Sequence, residues 1–256
     1  MQFRHFKKSG LQALVLAGLA LAGAQAQAAN LIQNGGFEAD LTPSYSPANW
    51  QVFEDSTFGS VLATSGTSAP ASGWDTVGAA SGNNYGIIDA NWAGGYALSQ
   101  SFSTGQVASA TLSFSMFVND QRSSQAPIID STGLDYTTGG DYRDNQHVRV
   151  DLLSAGADPL HTGSSVLRSF YLGGANGPTT NNNYSNYSFD VGADLAAGGN
   201  YVLRFAAVTN VAQMQIGIDN VSLNVTPVPE PESYAMLLAG LGLLGGVAAR
   251  RRKNAA

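Results

Sequence analysis

The sequence predicts an all-β fold, an antiparallel β-sandwich of the jelly-roll type over residues 29–225, flanked by an apolar helix at each end. Three observations carry this. Apolar residues recur with period two in several segments, Gly- and Asn-rich turns separate them, and no long helix-periodic run occurs between residues 30 and 225. Of the 256 residues only 12% are charged, about half the usual ~25%, and Gly, Ser, Asn and Thr fill the difference. Such a composition suits strands joined by many turns.

In chain order, residues 1–10 carry Arg4, Lys7 and Lys8, and residues 11–24 are Leu, Ala, Val and Gly interrupted by Gln12. A basic head, a short apolar run and overlapping A-x-A frames at Ala24, Ala26 and Ala28 predict a signal peptide over residues 1–28, cut by signal peptidase after passage through the secretion machinery.

The predicted strands follow. Leu112, Phe114, Met116 and Val118 alternate with Ser113, Ser115 and Phe117; Val148, Val150 and Leu152 alternate with His147, Arg149 and Asp151. Tyr187, Phe189 and Val191 repeat the pattern, as do Tyr201, Leu203 and Phe205. In the last segment Met214, Ile216 and Ile218 have one parity and Val221, Leu223 and Val225 the other. One residue is therefore inserted near Asp219-Asn220, where a bulge keeps both halves facing the core.

The C-terminal region, residues 226–256, has three parts in order: Val228-Pro229-Glu230-Pro231, an apolar run over 233–249, and Arg250-Arg251-Arg252-Lys253. The prolines hold the chain extended and keep Glu230 accessible. A run of 17 residues is at the short end of a bilayer span, and four cations fix the terminus on the cytoplasmic side. This arrangement resembles the PEP-CTERM sorting signal of Gram-negative bacteria, with Pro229, Glu230 and Pro231 on the motif and Arg250, Arg251 and Arg252 in its basic stop. The resemblance implies an exosortase as partner, a transient membrane anchor, and delivery to the cell surface or extracellular matrix. Gly240-Leu-Gly242-Leu-Leu-Gly245 fits the dinucleotide fingerprint only in letters, because it lacks the strand–turn–helix context.

Asn30-Leu-Ile-Gln-Asn-Gly-Gly-Phe-Glu38, Tyr96-Ala-Leu-Ser-Gln-Ser-Phe102 and Ile218-Asp-Asn-Val-Ser-Leu223 together resemble the galactose-binding-like jelly rolls that include many carbohydrate-binding modules. That resemblance implies a structural Ca²⁺ held by Glu38 and Asp219. Calcium takes six to eight oxygens, so carbonyls or water would complete the set. Without metal, Glu38 caps a turn and Asp219 serves the bulge.

The sequence excludes more functions than it assigns. There is no cysteine, hence no disulfide, thiolate metal site or cysteine nucleophile. Residues 29–228 hold five arginines and no lysine against sixteen carboxylates, a formal charge of −11, which repels nucleic acid. No G-x-S-x-G, H-E-x-x-H or phosphate-loop pattern is present, and His147 and His161 read as surface residues, so the chain is expected not to be an enzyme. Aromatic and polar residues suited to a glycan are Trp92 at the turn before Gly94-Gly95, and Tyr136, Asp141, Tyr142 and Arg143 in the long connection 119–146. The expectation is an exported surface or matrix protein that binds exopolysaccharide. A glycan-active enzyme on a jelly-roll scaffold and a ligand-free matrix protein are the alternatives.

Overall fold

A computed structural model of the protein describes residues 27–39, 46–122, 126–138, 141–174, 181–228 and 231–253; for residues 138, 141, 142, 231–237 and 253 it describes the backbone alone. The predicted signal peptide, residues 1–28, lies outside these except for Gln27 and Ala28.

Residues Ala29–Val225 form one compact unit. Its strands are β1 (Ala29–Asn30), β2 (Gln51–Glu54), β3 (Gly59–Ser65), β4 (Asn84–Ala90), β5 (Gly94–Thr104), β6 (Val107–Asp120), β7 (Thr137–Thr138), β8 (Asp141–Tyr142), β9 (His147–Ser154), β10 (Val166–Gly173), β11 (Ser185–Asp190), β12 (Gly199–Thr209) and β13 (Met214–Pro227), with a four-residue helix α1 (Gly192–Leu195) before β12. One sheet has the order β11-β6-β13-β4-β3, with β1 also paired to β13; the other has β10-β9-β12-β5-β2. Setting aside β1, β2, β3 and the separate β7-β8 pair, the eight strands β4, β5, β6, β9, β10, β11, β12 and β13 switch sheet at every step except the β9–β10 hairpin, the jelly-roll topology predicted above.

The alternating residues explain the core. Val148, Val150 and Leu152 of β9 share one core cluster with Phe114, Met116 and Val118 of β6 in the other sheet, together with Trp50, Tyr96, Leu98 and Phe205. At the open side, rings bridge the two sheets: Phe170 and Phe189 centroids are 5.1 Å apart and Tyr171 and Tyr187 5.8 Å.

The predicted bulge is present. Asn220 has φ of 52°, and both Ile218 and Val221 remain in the core. It is also where β13 changes neighbour. Up to Ile218↔Gly86 its partner is β4. Beyond the bulge the N-terminal segment takes that place: Val221 N–H donates to Gly35 O, Leu223 N–H to Asn30 Oδ1, and Ala29 pairs with Val225. A Cβ on Gly35 would lie 1.9 Å from Val221 O, so only glycine permits this approach. Both ends of the domain therefore meet at one pole, and β13 carries the chain from the opposite pole to it.

Loops cover much of both outer faces. Residues 66–83 lie over Leu62, Tyr85, Ile87 and Phe117. Leu134, Tyr136 and Leu160 cover Ala97, Ala206 and Val208 on the other sheet.

Outside this unit, residues Pro231–Lys253 form helix α2. The expected span over 233–249 starts in the part of α2 whose side chains are not described, and among the described residues no helix is long and apolar enough to cross a membrane. Gly240, Gly242 and Gly245 lie inside α2 with no strand leading into them, which removes the dinucleotide reading.

Candidate functional site

Two groups of acidic residues occupy opposite poles of the domain. At the pole of the termini, Asp219 is fully buried in the bulge. Its Oδ2 accepts the Ala80 and Ser81 N–H groups, both at 2.9 Å, and its Oδ1 accepts Asn220 N–H at 2.6 Å. Glu38 is exposed, and its Oε1 accepts Asn83 N–H at 2.7 Å and Asn84 N–H at 2.9 Å. The two carboxylates thus hold the turn that leads into β4. They flank Gly36, whose Cβ would stand 3.9 Å from Asp219 Oδ1 and 4.0 Å from Glu38 Cγ. Burial pushes the Asp219 carboxyl above its usual range, backbone donors oppose this, and the Glu38 charge adds to the rise.

Glu38 Oε2 accepts Asn84 Nδ2–H at 3.2 Å, and Asn84 Oδ1 is buried and without a partner. That orphaned oxygen fits a hard cation, since a buried acceptor without a partner costs about 1–3 kcal/mol. Among the described residues no group of three or more His, Cys, Asp or Glu side chains is placed to hold a metal. An ion at this pole would thus depend on amide, carbonyl and water oxygens beyond the two carboxylates.

The other pole is built from the β2–β3, β4–β5 and β12–β13 turns and the connection 121–146. Sheet register places them together: Gly59 pairs with Ala90, Ala90 with Met214, and Gly94 with Thr209. Trp92 is 61% exposed here and Phe58 59% exposed. Trp50, by contrast, is in the core, its Nε1–H donating to Asn34 O.

The described residues of connection 121–146 include a hydrogen-bonded part that lies over the sheet as a lid. Asn145 is its clasp: Nδ2 donates to Gly133 O at 2.7 Å and Asp135 O at 2.6 Å, while N–H donates to Asn210 Oδ1. The Asn210 amide in turn donates to Tyr136 O and Arg143 O. Within the lid β7 and β8 pair, Thr137 with Tyr142 and Thr138 with Asp141.

The predicted glycan residues therefore share one pole but not one surface. Trp92 is exposed, whereas the half-buried Tyr136 donates its hydroxyl to Asp55 O at 3.0 Å and acts as a strut. Arg143 lies 3.7 Å from Asp130. Asp141 and Tyr142 are placed by backbone alone; their side chains lie outside the described residues.

His147 corrects the sequence reading, for it is completely buried, under the lid. Its Nδ1 lies 3.0 Å from Asn145 Oδ1, which makes Nδ1 the protonated nitrogen and leaves Nε2 without a partner. Burial, reinforced by the Arg149 charge, lowers its pKa to about 4. Beside it lies a buried network in which Asp151 accepts from Arg149 at 2.6 Å and Arg204 at 2.5 Å, and Arg204 also donates to Pro159 O and His161 O. Period two alone gave these polar residues to solvent; the loops over the sheet reversed that.

Sequence reasoning missed a groove of about 440 Å³ beside the lid, lined by Phe53, Asp55, Thr132, Asp135, Asp158 and His161. Its residues come from the end of β2 and from three connections far apart in sequence, and no motif links them. Asp55 is pushed above the usual carboxylate range by burial and by the nearby Asp135 charge.

Comparison with known proteins bears on the two parts of the chain separately. Residues 227–253 match the PEP-CTERM protein-sorting motif, which marks the chain as an exosortase-processed protein associated with the Gram-negative cell surface. Pro229 and Glu230 lie outside the described residues, Pro231 opens α2, and Arg250, Arg251 and Arg252 are exposed near its end. No curated protein matches the sequence. Among solved structures, the carbohydrate-binding module TmCBM61 in complex with β-1,4-galactotriose is similar at 13% identity, covering 76% of this chain and 97% of that one, with a TM-score of 0.43. A cyclase from Fischerella sp. TAU is similar at 16% identity, 79% and 100% coverage and a TM-score of 0.45. The K3 adhesin domain of Lys-gingipain from Porphyromonas gingivalis gives 15%, 77% and 98%, and 0.45.

Proposed function

We propose that the mature domain is displayed at the cell surface or in an exopolysaccharide matrix and binds glycan, without catalysis, at the pole opposite its termini. The observation that carries this is the exposure of Trp92 and Phe58 at the end of the domain where neither terminus lies, while loops occupy much of both outer sheet faces. Exposed rings stack on sugar faces, and neighbouring carboxylates and amides accept and donate to hydroxyls. A chain tethered through the end of β13 leaves this pole free for a polymer.

Sorting through the tail belongs to the same reading. The exosortase cuts near Pro229-Glu230-Pro231, and α2 serves before that as a marginal, transient anchor. A structural Ca²⁺ bound by Asp219 and Glu38, completed by carbonyl and water oxygens, rigidifies the opposite pole.

The binding test is a glycan array with residues 29–228, which contain every residue of the three apolar clusters, run with and without Ca²⁺. Binding abolished by Trp92→Ala is the expected result, and no signal above background in either condition rejects the proposal. For the ion, a thermal melt with and without chelator is decisive: an unchanged midpoint rejects it. Intact Arg250–Ala256 in surface-localised protein, read by mass analysis, rejects tail processing.

A further inference from the structure

We propose that Thr209 and Gln146 form an intramolecular ester. The threonine hydroxyl displaces ammonia from the glutamine side chain and joins the end of β12 covalently to the residue before β9. This does not depend on the glycan reading above.

Sheet register brings the two residues together. β12 and β9 pair up to Val208↔His147, so Thr209 and Gln146, one step further on, stand opposite each other. Both are completely buried, as is Asp120 at the end of β6. The Gln146 carboxamide is held at both ends. Its Oε1 accepts Ala212 N–H at 2.9 Å and Val211 N–H at 3.2 Å from the β12–β13 turn, and its Nε2 donates to Asp120 Oδ1 at 2.9 Å. These partners fix the orientation of the amide, for a flip would set N–H against N–H and oxygen against oxygen. Asp120 is held in turn by Arg122, which donates to its Oδ2 from Nε and Nη2. Thr209 Oγ1 lies 2.8 Å from Gln146 Oε1 and also contacts Ala212 O. A hydroxyl carries one proton, so one of these two oxygens receives it and the other meets a bare lone pair.

A carboxamide resists attack because charge must build up on its oxygen. Here the Val211 and Ala212 amides already point at that oxygen, as an oxyanion hole does. The nucleophile is in contact with the same group, which makes the step intramolecular. The bonds balance without oxidant or co-reactant. Thr209 Oγ1 attacks Gln146 Cδ, the Cδ–Nε2 bond breaks, the hydroxyl proton passes to the departing nitrogen, and ammonia leaves. Asp120, the carboxylate at that nitrogen, is placed to relay the proton. Complete burial keeps out the water that would hydrolyse the ester. The composition leaves room for such a bond. Residues 29–228 hold neither cysteine nor lysine, so a disulfide or a lysine isopeptide cannot staple this domain, whereas an ester can.

Intact-mass measurement of residues 29–228 tests the bond directly. The expected mass is that of the sequence less one ammonia, with the deficit absent from the isosteric variant Thr209→Val and retained in Thr209→Ser. Ring closure at Asn34-Gly35 would release ammonia too, so the bond is then located by digestion of the denatured protein with trypsin. Cleavage after Arg143, Arg149 and Arg204 should yield peptides 144–149 and 205–228 as one joined species that mild alkali separates. A mass equal to that of the sequence, in fresh and in aged wild-type protein, overturns the proposal. So does a deficit that persists in Thr209→Val or that maps to Asn34-Gly35. The decisive readings come from the wild-type protein, so they stand even where a variant fails to fold.

Discussion

The two poles of the domain use the same side chains for opposite ends. At the pole of the termini, Asp219 and Glu38 accept five backbone N–H groups between them and hold the turn into β4 beside the N-terminal segment. At the other pole, Asp55, Asp135 and Asp158 line an open groove and have no cationic partner among the described residues. Asp219 is buried and satisfies three backbone donors, whereas Asp135 and Asp158 each accept one nearby N–H at the exposed surface. The contrast predicts that substitutions at the first pole lower stability and those at the second lower affinity.

The largest effect belongs to Asp219→Ala, which strands three backbone donors at a buried bulge. We expect a loss of about 3 kcal/mol, read by urea denaturation. A change under 1 kcal/mol would show that the bulge holds itself.

Next comes acid. The folded-state pKa of His147, about 4, lies below its unfolded value of 6.5, so between these values the unfolded chain takes up a proton that the folded chain refuses. Stability is full above pH 6.5 and falls as pH drops through 4, by up to about 3 kcal/mol. Asp219 and Asp55, both raised, act in the opposite sense, so His147→Gln is the control: its profile should flatten across this window. An unchanged profile would assign the acid response to other groups.

Glu38→Gln is expected to cost less, about 1 kcal/mol, because its carboxylate is exposed. If Ca²⁺ binds there, the loss grows when Ca²⁺ is present, and equal losses with and without chelator would separate the turn role from the metal role. Trp92→Ala should leave the melting midpoint within the equivalent of about 0.5 kcal/mol while removing glycan binding. A marked loss of stability would make Trp92 part of the scaffold and break the contrast between poles.

Much of the fold was legible in the sequence. Period-two alternation located β6, β9, β11, β12 and β13, and the switch of parity at Asp219-Asn220 located the bulge to the residue, because a strand's side chains have only two faces and an inserted residue must show as a phase change. Legibility failed where burial comes from loops instead of sheet packing. Alternation marks Arg149, Asp151 and Arg204 as outward-facing, which they are, but it has no term for a loop laid over the outer face. His147 was misread for this reason. Trp92 is exposed as its turn position suggested, while the Tyr136 hydroxyl is engaged with Asp55 O.

By itself, then, the sequence determined the address and the strand phases, because a PEP-CTERM tail is a contiguous signal and alternation is a local property of the strand. Only the tertiary structure decided which carboxylates pair with arginine and which do not. Asp55, Asp135 and Asp158 are brought to one groove by loops spread over a hundred residues, and the unanswered charge there depends on where every arginine of the domain has found its partner. Pairing of that kind is set by long-range packing, which no local pattern encodes.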